Sequence, residues 1–164
     1  MRFELRHDFN ARPEAVARAI LDPAYQESLD PIGPLKSRKL LSQEERDGLV
    51  VRRVRCVLDV TFAGPAKAIL GNSDPAWVEE STWFPDEMSW KWSVTPDVAA
   101  NILSASGAMT LLPHGEATER VVSADVKVKF PFLGGAVEKS IVAGVTKVYD
   151  EEAERLTAWL AKTG

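Results

Sequence analysis

The stretch from Phe130 to Gly164 constrains this chain most, because it reads as a strand end, a Pro and Gly-Gly corner and one long amphipathic helix. Apolar side chains at Val137, Ile141, Val145, Val148, Tyr149, Leu156, Trp159 and Leu160 recur at three- and four-residue steps. Such a stripe needs a covering surface. The residues before it supply several strands and almost no other helix, so the cover must be a single curved antiparallel sheet closing around the helix. That architecture usually encloses a pocket. Gly144, inside the helix, costs about 1 kcal/mol against Ala, which implies either close approach to the sheet or a bend that widens a cavity. Asp150, Glu151 and Glu154 form the wet side, while Glu152 interrupts the stripe near the expected cavity mouth.

Residues 2 to 9 alternate, with Phe3, Leu5, His7 and Phe9 on the apolar face, as in a half-buried strand. Asn10 is placed to cap a short helix with Pro13 in its first turn, and Asp22-Pro23 marks a stop before a second short helix near Ala24 to Leu29. Leu35 to Arg46 and Leu49 to Leu58 form a hairpin about Asp47-Gly48, which sets Val54 opposite Leu41. Residues 59 to 75 read as a long excursion over one end of the sheet, with a possible helical turn at Ala66 to Leu70. In the next hairpin, Trp77 to Phe84 with Met88 to Val94, Pro85 excludes the primed two-residue turns and favours a type I turn with Glu87 as an extra residue. Phe84 then faces Met88, and Glu80 shares a face with Trp90 and Trp92; a slip of one residue would exchange Glu80 for Glu79. Two more strands, about Asn101 to Leu112 and Glu116 to Phe130, flank a turn at Pro113-His114-Gly115.

A chain of 164 residues, 45% hydrophobic and 27% charged, suits a single soluble domain spanning residues 1–164. No segment has the roughly 18 apolar residues of a spanning helix, and the opening Met-Arg-Phe-Glu-Leu-Arg lacks a signal-peptide core, so a cytoplasmic location without membrane insertion is expected. A net charge of −4 argues against general nucleic-acid binding. Two His and one Cys, widely separated, give no zinc spacing, and no metal or organic cofactor is required. Gly64 to Gly71 imitates a phosphate loop only in its two Gly and a Lys, and nucleotide binding is rejected. Cys56 reads as a small buried hydrophobe rather than a reactive thiol.

The order of elements resembles the helix-grip fold of the START and birch-pollen-allergen-like superfamily, also called SRPBCC. The likeness is carried by Phe9-Asn10-Ala11-Arg12-Pro13-Glu14-Ala15-Val16 leading to Leu21-Asp22-Pro23, and by Val128-Lys129-Phe130-Pro131-Phe132-Leu133-Gly134-Gly135-Ala136-Val137-Glu138. The second motif is similar to that of an uncharacterised branch, a domain of unknown function. The resemblance implies an α+β fold in which a curved antiparallel sheet of about six or seven strands wraps around the long C-terminal helix, with two short helices after the first strand. It also implies that lipids, sterols, polyketides or other apolar molecules are held between helix and sheet, and some members are cyclases or hydratases.

For this chain the leading expectation is therefore binding or carrying of a small apolar molecule. Trp90, Trp92 and Met88 would form one wall, Val145 and Tyr149 the opposing surface, and Arg52 or Glu80 polar anchors. Each has a plainer alternative. The Trp pair can be core packing, and Tyr149 can be a packed ring with its tip hydrogen-bonded. Arg52 can meet Glu80 or a ligand carboxylate, or be held by Gln43 or Glu45 across the hairpin. A cyclase- or dehydratase-like enzyme is the alternative function, with Glu80 or His7 moving a proton; a third is an interaction protein whose cavity is filled. His114 reads as exposed, and Arg53, Arg55, Lys127 and Lys129 as a solvated outer face. Oligomeric state is not legible from these residues.

Overall fold

The computed structural model describes residues 1–58, 67, 71 and 74–163. Strand β1 (Arg2–Phe9) leads into the short helices α1 (Pro13–Leu21) and α2 (Pro23–Ser28). Then come β2 (Leu35–Arg46), β3 (Leu49–Leu58), β4 (Ala76–Phe84), β5 (Ser89–Pro96), β6 (Leu103–His114) and β7 (Ala117–Val128), and helix α3 (Gly134–Thr163) ends the chain. Among the described residues the seven strands form one antiparallel sheet in the order β1-β7-β6-β5-β4-β3-β2. This is the helix-grip fold. The two short helices carry the chain from one edge of the sheet to the other. Most of the excursion expected over residues 59 to 75, including its helical turn and the phosphate-loop imitation, lies outside the described residues.

Local chemistry explains most boundaries. Pro13 opens α1 behind Arg12, whose extended backbone makes it the N-cap residue without a side-chain bond, so Asn10 does not cap this helix. Asp22 does cap α2: its Oδ1 accepts from the Ala24 N–H at 2.9 Å. Asp47 and Gly48 both take positive φ, 53° and 79°, as a tight β2–β3 turn requires. At the start of α3 a Cβ on Gly134 would stand 2.3 Å from the Val128 carbonyl oxygen, so only glycine permits this approach of helix to strand. Glu138 accepts from the Val128 N–H at 3.0 Å and closes the same corner.

Two register details differ from expectation. A bulge between Leu40 and Ser42 makes Leu40, not Leu41, the partner of Val54, and Leu41 turns outward. In the β4–β5 connection Pro85–Glu87 form a 3₁₀ turn, and Met88 follows with φ 48°. Four residues thus separate the strands instead of three, Phe84 pairs with Ser89, and β4 is inverted relative to the expected face. The β6–β7 turn also falls slightly late, with His114 paired to Ala117 and Gly115 at φ 62°.

The core is divided. The larger cluster joins α1, α2 and the inward sheet residues to Leu156 of α3, and a small one pairs Val128 with Val137. Between these anchors Ile141, Val145, Val148 and Tyr149 of α3 are only half-buried. The middle of the amphipathic stripe therefore packs only in part, Ile141 against the small cluster and Val148 and Tyr149 against the large one, and its remaining surface faces open volume.

Candidate functional site: the cavity between sheet and helix

That volume is a cavity of about 570 Å³ bounded by the inward face of the sheet, α3, and the α2–β2 connection. It lies within the roughly 300–1,000 Å³ usual for small-molecule sites. The exposed lining residues Val98, Ser140, Ala143 and Lys147 mark where it meets solvent. Gly144 lies on this wall, and a Cβ built there would meet nothing within 4 Å among the described residues beyond its own helical turn. The glycine therefore leaves the cavity wide and makes no close approach to the sheet.

Of the expected wall, Trp90, Trp92, Val145, Tyr149 and Arg52 all line the cavity. Trp90 is buried and its ring centroid lies 4.0 Å from that of Trp83, so it belongs to the core as well as the boundary. Trp92 lies across Gly107, where a Cβ would come within 2.7 Å of the indole and 2.3 Å of the Ser123 carbonyl oxygen. Its Nε1 is buried and without a hydrogen-bond partner among the described residues. Met88 is not among the lining residues; its left-handed backbone places it beside α1, against Leu21 and Trp83, in a shallow surface groove.

The inverted β4 register moves Glu80 outside, where it stands 3.8 Å from Arg53, and brings Glu79 into the cavity. His7 is not a lining residue either. Its Nε2 lies 2.9 Å from Asp150 Oδ1 and its Nδ1 lies 3.3 Å from Arg120 Nη2. Because Arg120 can only donate, Nδ1 accepts and Nε2 carries the proton. Neither weak catalytic candidate faces the bound space. Arg53 and Arg55 do lie on the outer face, paired with Glu80 and Asp97.

The polar equipment of the cavity consists largely of residues not singled out in the sequence. Arg120 is 1% exposed and pairs with Glu152, which also accepts from Tyr25 Oη at 2.6 Å. The Arg120 guanidinium also stacks over Phe9 and Tyr149, at 5.1 and 5.6 Å from the ring centroids. Arg52 donates from Nε to Gln43 Oε1 at 2.9 Å and from Nη2 to the Ile20 carbonyl at 2.6 Å, so Gln43 is the residue that holds it. Arg38 donates to the Gln26 carbonyl at 3.1 Å and to Gln26 Oε1 at 2.7 Å. Extending the alternation of Val122, Ala124, Val126 and Val128 backward by two-residue steps would have found Arg120 and Thr118. Glu79 is the residue that a one-residue register slip exchanges for Glu80, and nothing local marks Arg38.

Burial pushes the Glu79 carboxyl above its ordinary range, and Arg38 and Arg52 pull it back only in part. Burial also raises the Tyr149 hydroxyl and the Cys56 thiol, which keeps both protonated at neutral pH. Among the described residues Glu79 and the Tyr149 hydroxyl have no hydrogen-bond partner, and no three His, Cys, Asp or Glu side chains converge as a metal site.

The folded chain holds the Glu79 proton more tightly than the unfolded chain, whose carboxyl titrates near 4.5. The stability linked to this proton is present in full below that value and is lost as pH rises through the elevated folded one. Glu79→Gln escapes the loss. We expect the variant to melt a few degrees above wild type at neutral pH, a gain on the order of 1 kcal/mol, with the difference closing as pH falls toward 4.5. Melting curves that stay parallel over this range would remove the linkage.

A family model described as "Protein of unknown function (DUF2505)" matches residues 4–160. No curated protein matches the sequence. Among solved structures, this chain is similar to norcoclaurine synthase from Thalictrum flavum, with a TM-score of 0.69, 13% identity, and coverage of 98% of this chain and 86% of that one. It is also similar to the ZhuI aromatase/cyclase from Streptomyces sp. R1128, with a TM-score of 0.68, 15% identity and coverage of 99% and 94%. A START superfamily protein from Mycobacterium smegmatis matches with a TM-score of 0.62, 19% identity and coverage of 99% of both chains. At these identities the likeness is one of fold.

Proposed function

We propose, for a chain that belongs to the DUF2505 family of proteins of unknown function, that it binds and carries a small apolar molecule, lipid-, sterol- or polyketide-like, in the cytoplasm. The observation that carries this reading is the divided core: α3 is anchored at Val137 and Leu156, and between them its half-buried apolar residues face a 570 Å³ cavity. Apolar surface left uncovered in this way is where a ligand gains about 25 cal/mol per Å² of burial. Trp90 and Trp92 would offer flat contact from the sheet, Val145 and Tyr149 would close over the ligand from the helix, and Arg52 would be one of the polar anchors. Solved proteins of this fold include a START superfamily protein as well as a synthase and an aromatase/cyclase, which supports a ligand-sized interior for the fold. The open volume speaks against an interaction protein with a filled cavity.

Titration with Nile red, a neutral apolar dye, tests the reading. Saturable fluorescence that unlabelled apolar compounds reverse is expected, with Trp92→Ala weakening binding by roughly tenfold. A folded protein that shows no saturable binding would overturn the assignment. A second reading, proton transfer on a bound substrate, draws support from Glu79, the cavity-facing carboxyl with a raised pKa. It predicts a turnover that Glu79→Gln abolishes and that Glu80→Gln and His7→Gln leave intact.

A further inference from the structure

The charges around the cavity do not balance. Among the described residues four basic side chains, Arg38, Arg52, Arg120 and Lys147, line it against two acidic ones, Glu79 and Glu152. A chain with a net charge of −4 has thus gathered positive charge around a largely apolar cavity. Arg120 is neutralised in place by Glu152. Arg38 and Arg52 are not: each is fixed on neutral acceptors, Arg38 on Gln26 and Arg52 on Gln43 and the Ile20 carbonyl. Among the described residues neither has a carboxylate within ion-pair distance. Glu79 is close enough to act on both through space, yet it bonds to neither.

Neutral acceptors orient a guanidinium without cancelling its charge, and a buried uncancelled charge is costly unless a counter-ion arrives. The unused donors are accessible. Among the described residues the side-chain nitrogens that are both sealed and unpartnered are Trp92 Nε1 and Arg120 Nε. Arg52 Nη1, which has no acceptor among the described residues, is not one of these sealed nitrogens, and Arg52 lines the cavity. The two arginines start on opposite sides of the Leu40–Val54 pair, Arg38 across from Cys56 and Arg52 across from Gln43, and their guanidiniums converge on one polar cluster: Gln26, which accepts from Arg38, donates through Nε2 to the same Ile20 carbonyl that accepts from Arg52 Nη2. The remainder of the lining, with Val94, Leu103, Val126 and Ile141, is apolar.

We infer that the ligand is an amphipathic anion, an apolar body ending in one negative group of carboxylate size, with that group seated against Arg38 and Arg52. This rests on the proposed binding function and deepens it from "apolar molecule" to a chemical class. The apolar lining suits a chain and a flat ring system alike, so the test includes both.

Two matched probe pairs decide it at neutral pH: cis-parinaric acid with its methyl ester, and 1-pyrenebutanoic acid with its methyl ester. At least one acid is expected to bind roughly 10- to 100-fold more tightly than its ester, the range for hydrogen bonds to a charged partner. Arg52→Gln, or Arg38→Gln should the first fail to fold, is expected to erase most of that preference, with a native circular-dichroism spectrum and a cooperative melt showing that the variant is folded. Raised salt weakening the acid more than the ester supports the same assignment. Acid and ester binding alike, or the ester binding more tightly, would overturn the anionic head group while leaving the apolar-carrier reading intact. Failure of all four probes together with Nile red would overturn both.

Discussion

Replacing Gly144 with Phe is expected to abolish binding of Nile red and of the acid probes while leaving the fold intact. Gly144 lies on the cavity wall, in the middle of α3, and beyond its own helical turn no atom of the described residues lies within 4 Å of the position its Cβ would take. An aromatic ring added there would occupy the space that the ligand needs. At a helix interior the change also removes the backbone entropy cost of glycine, so a stability gain of roughly 0.5 kcal/mol is expected. The combination is diagnostic, since most substitutions that destroy a binding site also lower stability. Titration and thermal melting of the same preparation check it. Undiminished binding in Gly144→Phe would show that ligands do not enter between sheet and helix.

Glu152→Ala should destabilise the fold severely. It leaves Arg120, 1% exposed, without its counter-ion, and it deprives Tyr25 of the acceptor at 2.6 Å. Breaking a buried ion pair from one side costs about 3–5 kcal/mol, which for a chain of this size lowers Tm by roughly 10 °C. Removing both partners should be far milder. In Arg120→Met/Glu152→Leu no charge is stranded, and most of the loss is expected to be recovered. Urea unfolding of the two single variants and the double variant measures the cycle. A cost for Glu152→Ala below about 1 kcal/mol would mean that water reaches Arg120 and solvates it.

The limits of the sequence reading lie at identifiable residues. Asp47-Gly48 announced its hairpin correctly, yet the bulge at Leu41 shifted every pairing beyond it, because a bulge is chosen by the packing of the whole sheet and leaves no local mark. Pro85 excluded one class of turn and left the number of loop residues undetermined. Met88 entering the left-handed region added a residue to the loop, and that single residue decided whether Glu79 or Glu80 faces the cavity. Arg120 was legible in principle from the alternation of β7, but a charged residue on an inward face is acceptable only beside Glu152, which lies 32 positions away in the chain.

The order and kind of the elements, the long helix with its uncovered stripe and the sheet needed to cover it follow from the sequence alone. They are set by periodicities of two and 3.6 residues and by Pro, Gly and Asp at the breaks, all of which act over a few neighbouring positions. Tertiary structure alone decided that the stripe is covered at Val137 and Leu156 and only partly covered between them, and that two guanidiniums without carboxylate partners among the described residues face the resulting gap. The physical reason is that a cavity and its charge balance belong to the distance and register between elements far apart in the chain, and no local pattern of residues carries that information.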